Sequence, residues 1–188
     1  MATELHSSIN LDLGWTWRHL SGGHVIVDSN RLQFARNLHQ GGDADKANRI
    51  WHAVDQPLAA GQSITLYLNA LGMEMFDDVI TTAFGAIKAI MIVNKNPAGE
   101  GSLLVGGAGT QEWCAPFGMI GDTVRVMPGS PLLLANVREG WKVEQGCEAL
   151  KITAVGGDVT FDVAILGLAD DDEVYDSSSS SSDGSGER

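Results

Sequence analysis

From Arg49 to Leu168, hydrophobic and polar positions alternate in short stretches. That period of two puts every second side chain on one face of a β-strand. In Gln62–Leu68, Ile64, Leu66 and Leu68 alternate with Ser63, Thr65 and Tyr67. Ala86–Val93 is a longer, β-branched run suited to a central strand. Further strands are expected at Ser102–Val105, Thr123–Met127, Pro131–Ala135, Trp141–Val143, Leu150–Val155 and Val159–Leu166. In the last of these, Val159, Phe161, Val163 and Ile165 share one face. Turn residues recur between the runs, and Gly156–Gly157 is placed to join the last two strands as a two-residue hairpin loop. About eight short strands with no helix between them fit two Greek keys. The fold class expected over residues 49–169 is therefore all-β, a jelly-roll-like antiparallel β-sandwich.

The first 48 residues read differently. Apolar positions are sparser, and His24–Val27 is the one obvious strand. Asn30–Gln40 has Leu32, Ala35 and Leu38 at helical spacing, so a short helix is expected there. Residues 1–48 are expected to form an extended N-terminal arm that packs on the body or on a neighbour. Trp15 and Trp17 stand two apart and would share a face of a strand. With Leu11 and Leu13 they are the candidate interaction residues of the arm. Trp51, just beyond it, is a further candidate whose alternative is core packing.

Composition refines this picture at the other end. From Asp170 the chain holds seven acids, one arginine and six consecutive serines, which is half of the formal charge of −12. Such a segment has too little apolar surface to offset its ordering entropy, so a disordered acidic, Ser-rich tail is expected over residues 170–188. The excess of acids argues against nucleic acid or an anionic membrane as partner, since phosphate contacts require Lys and Arg. The longest apolar run is interrupted by Lys88 and is far shorter than the ~18 residues of a membrane span. The first residues carry neither a basic nor an apolar signal region, so no export signal is read. Cys114 and Cys147 are then expected as free, buried thiols.

Enzymatic motifs are sparse. Gly106, Gly107 and Gly109 make a glycine-rich turn, but Glu112 stands where a dinucleotide fingerprint needs its third glycine. Asp43, Asp45 and Asn48 offer oxygen ligands, yet the segment lacks the glycine and distal glutamate of a calcium loop. Asp43 is read instead as the cap of one helical turn. The five histidines show no zinc-ligand spacing. Neither cysteine has a context that would lower its pKa for catalysis. No catalytic residue, cofactor or metal is assigned, and an enzyme is not expected.

The order GGDADKANRIWHAVDQPLAAGQSITLYL, FGAIKAIMIVNKN, SLLVGGAG, DTVRVMPGSPLLL and ALKITAVGGDVTFDVAILG, from Gly41 to about Leu168, resembles small virion proteins of tailed bacteriophages. These are encoded near major capsid proteins, and some act as capsid decoration or cement proteins. The resemblance implies a structural protein at the capsid surface of the virion, made in the host cytoplasm. It also implies the major capsid protein as partner and a homo-oligomer, a dimer or trimer. It carries over no catalytic residue. A tail or baseplate component is the nearest alternative. A carbohydrate-binding jelly roll is another, with Trp15, Trp17, Trp113 or Trp141 as stacking platforms.

Overall fold

The structure, a computed structural model, describes residues 4–75 and 78–169. Among these there are fourteen strands and no helix. They are β1 (Ser7–Ser21), β2 (His24–Gln40), β3 (Lys46–Ala47), β4 (Arg49–Leu58), β5 (Ser63–Tyr67), β6 (Leu71–Met75) and β7 (Asp78–Thr82). There follow β8 (Phe84–Asn94), β9 (Ser102–Gly106), β10 (Thr123–Val126), β11 (Pro131–Ala135), β12 (Trp141–Lys142), β13 (Ala149–Val155) and β14 (Val159–Ala169). The tail expected from Asp170 onward lies outside the described residues.

Eight strands and the short β12 build the body. One sheet runs β10-β9-β13-β5, and the other runs β11-β8-β14-β4 with β12 beside β8. The chain passes back and forth between the two, and each of their ladders is antiparallel. This is the double Greek key of a jelly roll. The short β6–β7 hairpin is an excursion between β5 and β8.

The alternation in sequence becomes the core directly. Ile165 sits between Ile90 and Trp51 in the second sheet, and Val163 between Ile92 and Ala53. These inward side chains meet Leu103 and Val105 of β9 and Leu150 and Ile152 of β13 in one cluster, with Phe84, Phe161 and Trp113. Burial of such aliphatic and aromatic groups is the main driving term of folding. Buried asparagines near the end of β8 are paired: the Asn94 amide donates to the carbonyls of Gly101 and Val126 at 3.0 and 3.3 Å. Asn96 donates to Asp158 O and accepts from Thr160 N, which fixes the loop after β8. Lys88 is fully buried, and its ammonium donates to Arg138 O. Burial pushes its pKa down, and the charges of Asp45 and Glu139 oppose that shift.

Two expectations about connectivity need correction. Gly156–Gly157 does not close a hairpin: β13 pairs with β5 and β9, whereas β14 pairs with β4 and β8. The two glycines carry the chain from one sheet to the other, because both flanking strands have an inner face that only the opposite sheet can cover. At Gly167, β14 shifts register against β8. A Cβ there would lie 2.1 Å from Ala86 O, so only glycine permits that approach.

The second correction concerns the first 48 residues. Asn30–Gln40 is not a helix but most of β2, whose residues His24–Leu38 pair with the whole of β1, from Ser7↔Leu38 to Ser21↔His24. The turn is Gly22-Gly23, with φ of 57° and 83°. This is the left-handed pair that a two-residue hairpin turn demands. The apolar spacing of Leu32 and Leu38 mimics a helix but also fits a strand, since both numbers are even. The arm is therefore a ribbon of two strands, about 50 Å long at ~3.4 Å per residue.

The ribbon meets the body only at its base. Ile9 and Leu38 are buried with Ala47, Ala89 and Leu166, with Leu133 and Val137 packed alongside. β3 adds a two-residue parallel pairing to His39–Gln40. The base thus sits on the outer face of the β11-β8-β14-β4 sheet, and the rest of the ribbon leaves it.

Candidate functional site

Strand pairing assigns each arm residue to a face. Odd residues of β1 stand beside even residues of β2, giving the rungs Ile9–Arg36, Leu11–Phe34, Leu13–Leu32, Trp15–Asn30, Trp17–Asp28 and His19–Ile26. The other face carries Ser8–Asn37, Asn10–Ala35, Asp12–Gln33, Gly14–Arg31 and Thr16–Ser29. One face is thus apolar and the other polar for most of the arm's length. Near the turn Leu20, Val25 and Val27 make the second face apolar too.

Two polar-face contacts tie one strand to the other. The Arg31 guanidinium grips the Asp12 carboxylate in two places, with Nε to Oδ1 at 2.7 Å. That bond holds the Asp12 carboxyl below the usual carboxylate range. The Thr16 and Ser29 hydroxyls meet at 3.1 Å. On the apolar face the Trp15 indole donates to Asp28 at 3.0 Å, Trp17 stacks on His19 with ring centroids 5.3 Å apart, and Arg36 lies over the Phe34 ring. The ribbon is internally braced.

What the arm lacks is cover. Ile9 and Leu38 are 7% and 1% exposed, but further out Leu13 is 64%, Trp17 53% and Leu32 67% exposed. Leu11, Trp15, Ile26 and Phe34 are exposed as well. A side chain of this size gains about 1.5–3 kcal/mol on full burial. A contiguous apolar stripe of this length on a two-stranded ribbon is the candidate interaction surface of the molecule. Between the base of the arm and the outer sheet face opens a cleft of about 390 Å³, with Ile50, Ala89, Met91, Leu133, Ala164 and Leu166 on its sheet side.

The structure brings Leu11, Leu13, Trp15 and Trp17 onto this one face. Trp51 does not join them: it is 6% exposed in the core, and its indole donates to Gly72 O at 2.8 Å. Sequence reasoning did not find the opposing half of the stripe, Ile26, Leu32 and Phe34. The signal was available in Gly22-Gly23, flanked by two runs of alternating residues.

Elsewhere the chemistry is structural. Glu112 accepts the backbone N–H groups of Gly107, Gly109 and Gly121 at 3.0–3.1 Å, so its carboxylate already occupies the glycine-rich turn. Asp43 does not cap a helical turn; its carboxylate takes the Lys46 ammonium at 2.7 Å across a tight turn, and this bond lowers its pKa. Among the described residues no cluster of three or more His, Cys, Asp or Glu side chains is placed to hold a metal. Both cysteines are free, but neither is buried: Cys114 is half-buried and Cys147 exposed. Trp113 is buried, with its indole on Lys142 O at 2.9 Å, and Trp141 packs edge-on against it. Trp113 therefore offers no sugar platform. No family model, no curated protein and no solved structure matches this chain.

Proposed function

We propose that this chain is a structural, non-enzymatic subunit of a tailed-phage virion that decorates and stabilises the capsid, with the β1–β2 ribbon as its assembly element. One observation carries the reading: a braced ribbon with a continuous, uncovered apolar face stands on a jelly roll. The body supplies a rigid anchor, and the ribbon supplies contact area. Ligands that bind only the assembled state stabilise it by mass action, and a subunit bridging neighbours in a shell acts in that way. The resemblance to phage virion proteins supplies the partner, the major capsid protein, and the setting, the virion surface.

Co-sedimentation with purified shells tests this. The full-length protein is expected to pellet with shells of its own phage and to raise their melting temperature. A version without residues 1–40 is expected to unfold cooperatively, since its core lies in β4–β14, and to lose both effects. Full retention of binding and stabilisation by the truncated protein would sink the reading.

A further inference from the structure

We propose that Lys88 aims the arm: its buried ammonium pins the Arg138 carbonyl where the Asp45 amide bonds it, and so fixes the direction in which the ribbon leaves the body. This rests on the reading of the arm as an assembly element and gives that element a direction.

A bulge places the lysine. Ala89 pairs with Leu166 and Ile87 with Gly167, so β8 carries one residue more than β14 at this point, and that residue is Lys88. By strict alternation it would share the inner face with Ile90 and Ile92. Instead Ile87 takes the core position, and the Lys88 ammonium reaches Arg138 O in the loop between β11 and β12. Bulges commonly re-aim a single side chain in this way.

Lys88 holds that loop at two points. Its carbonyl accepts the Asn136 N–H at 2.9 Å, and its ammonium takes the Arg138 carbonyl. Asn136 and Gly140 close the loop on itself with two bonds, at 3.0 and 2.9 Å. The Arg138 carbonyl accepts a second bond, from the Asp45 N–H at 3.2 Å. Asp45, with φ of 59°, lies in the turn between β2 and β3, where the ribbon meets the body. The contacts therefore run unbroken from β8 through Lys88 and Arg138 to the root of the arm. The two acids whose charges favour the ammonium come from both sides of the joint, Asp45 from the arm's turn and Glu139 from the body's loop.

The ribbon's other root contacts do not set an angle. The two-residue pairing with β3 belongs to the same turn. The rest is apolar, Ile9 and Leu38 on Ala89, Leu166, Leu133 and Val137. Apolar burial is non-directional, whereas hydrogen bonds are directional. Burying an ammonium is costly, and an apolar residue of similar volume is often as stable in its place. A methionine at position 88 would fill the space and bond neither segment. Leverage makes the angle matter. From Ile9 to Arg18 is about 30 Å of strand, so each ~10° of rocking at the root displaces Arg18 by about 5 Å.

Two measurements on the full-length protein test the pin. One spin label on Cys147, the exposed native thiol, and another at Arg18→Cys, in a Cys114→Ser background diluted with unlabelled protein, report the angle of the arm. With Lys88 a single narrow distance distribution is expected. Lys88→Met is expected to broaden it about twofold or more, given the ~5 Å swing per ~10°. By amide exchange, the Asp45 N–H is expected to exchange about tenfold faster or more in Lys88→Met, with the protected amides of β8 and β14 unchanged. The melting temperature of the body is expected to hold or rise. Lys88→Gln, with a donor on a shorter stem, is expected to fall between the two and serves if Lys88→Met does not fold. Equal distributions, equal Asp45 exchange, or broadening that comes only with a lower melting temperature and faster exchange throughout β8 and β14 overturns the pin. Co-sedimentation keeps the two claims apart. A pinned arm on a chain that ignores shells supports the pin and removes the capsid reading. An arm that binds shells and swings equally with lysine or methionine removes the pin alone.

Discussion

The body and the arm are made of the same material and end differently. Both are antiparallel strands with apolar residues at every second position. In the body each apolar face meets the opposite sheet, so Ile92, Ile152 and Ile165 have no exposed surface. In the arm the same alternation produces Leu13 and Leu32, each about two-thirds exposed. Alternation specifies a strand with one dry face, and it says nothing about which molecule supplies the dryness. On the proposed reading the contrast is a division of labour: body positions serve stability, and arm positions serve association.

Substitution is the strongest way to break that division. Phe161→Ala removes a buried ring between the sheets and is expected to cost about 3–5 kcal/mol. Leu13→Ala is expected to change unfolding of the isolated chain by less than ~0.5 kcal/mol. Urea denaturation of both variants decides it, and a large loss at Leu13 would place the arm within the body's core.

Glycine gives a finer comparison. In the body, Gly167→Ala drives a methyl group into Ala86 O and the Phe84 ring and is expected to cost about 1–3 kcal/mol or more. In the arm, Gly14→Ala would find its nearest neighbour, Arg31 Cγ, at 3.9 Å. That variant is expected to be neutral, or more stable by up to ~1 kcal/mol through the unfolded chain. Thermal melts of the pair would expose any hidden strain at Gly14.

The smallest effect is set by pH. Because the Arg31 bond lowers the Asp12 pKa in the folded arm, its contribution is fully present above the ordinary carboxylate range. It is lost as pH falls through the lowered value. Acidification should therefore loosen the arm while the body, held by apolar packing, stays folded. Tryptophan fluorescence would report this through Trp15 and Trp17, and Asp12→Asn should remove the pH step. An identical acid profile for Asp12→Asn would show that the bond does not brace the ribbon.

How much of this could be read from the chain follows from the same contrast. The strands of the body were legible, because Ile64–Leu66–Leu68 and Val159–Phe161–Val163–Ile165 carry an unbroken period of two. β4 was not: Asp55, with φ of 52°, and Pro57 interrupt its pattern, which an edge strand tolerates. β2 was misread because Leu32, Ala35 and Leu38 also satisfy helical spacing over a short window. The apolar half-face of Leu11, Leu13, Trp15 and Trp17 was legible from its spacing. Its other half was hidden by that misreading, and Trp51 resembled it in composition while belonging to the core. The crossing at Gly156–Gly157 was illegible in principle, because a two-residue link between strands does not record which sheet each strand joins.

The sheet order also sets a clock. The arm is a local hairpin closed by Gly22-Gly23, and such hairpins zip in about 1–10 μs. The second sheet cannot close until β14, residues Val159–Ala169, has been made, since β14 is the neighbour of both β4 and β8. At ~5–20 residues per second, synthesis separates the two events by on the order of ten seconds. During each round of translation the whole ribbon sequence, with its apolar face uncovered, therefore precedes the body that is to anchor it. Throughout that interval the apolar face of the ribbon is open to whatever the nascent chain meets, so its contacts are chosen before the body is complete.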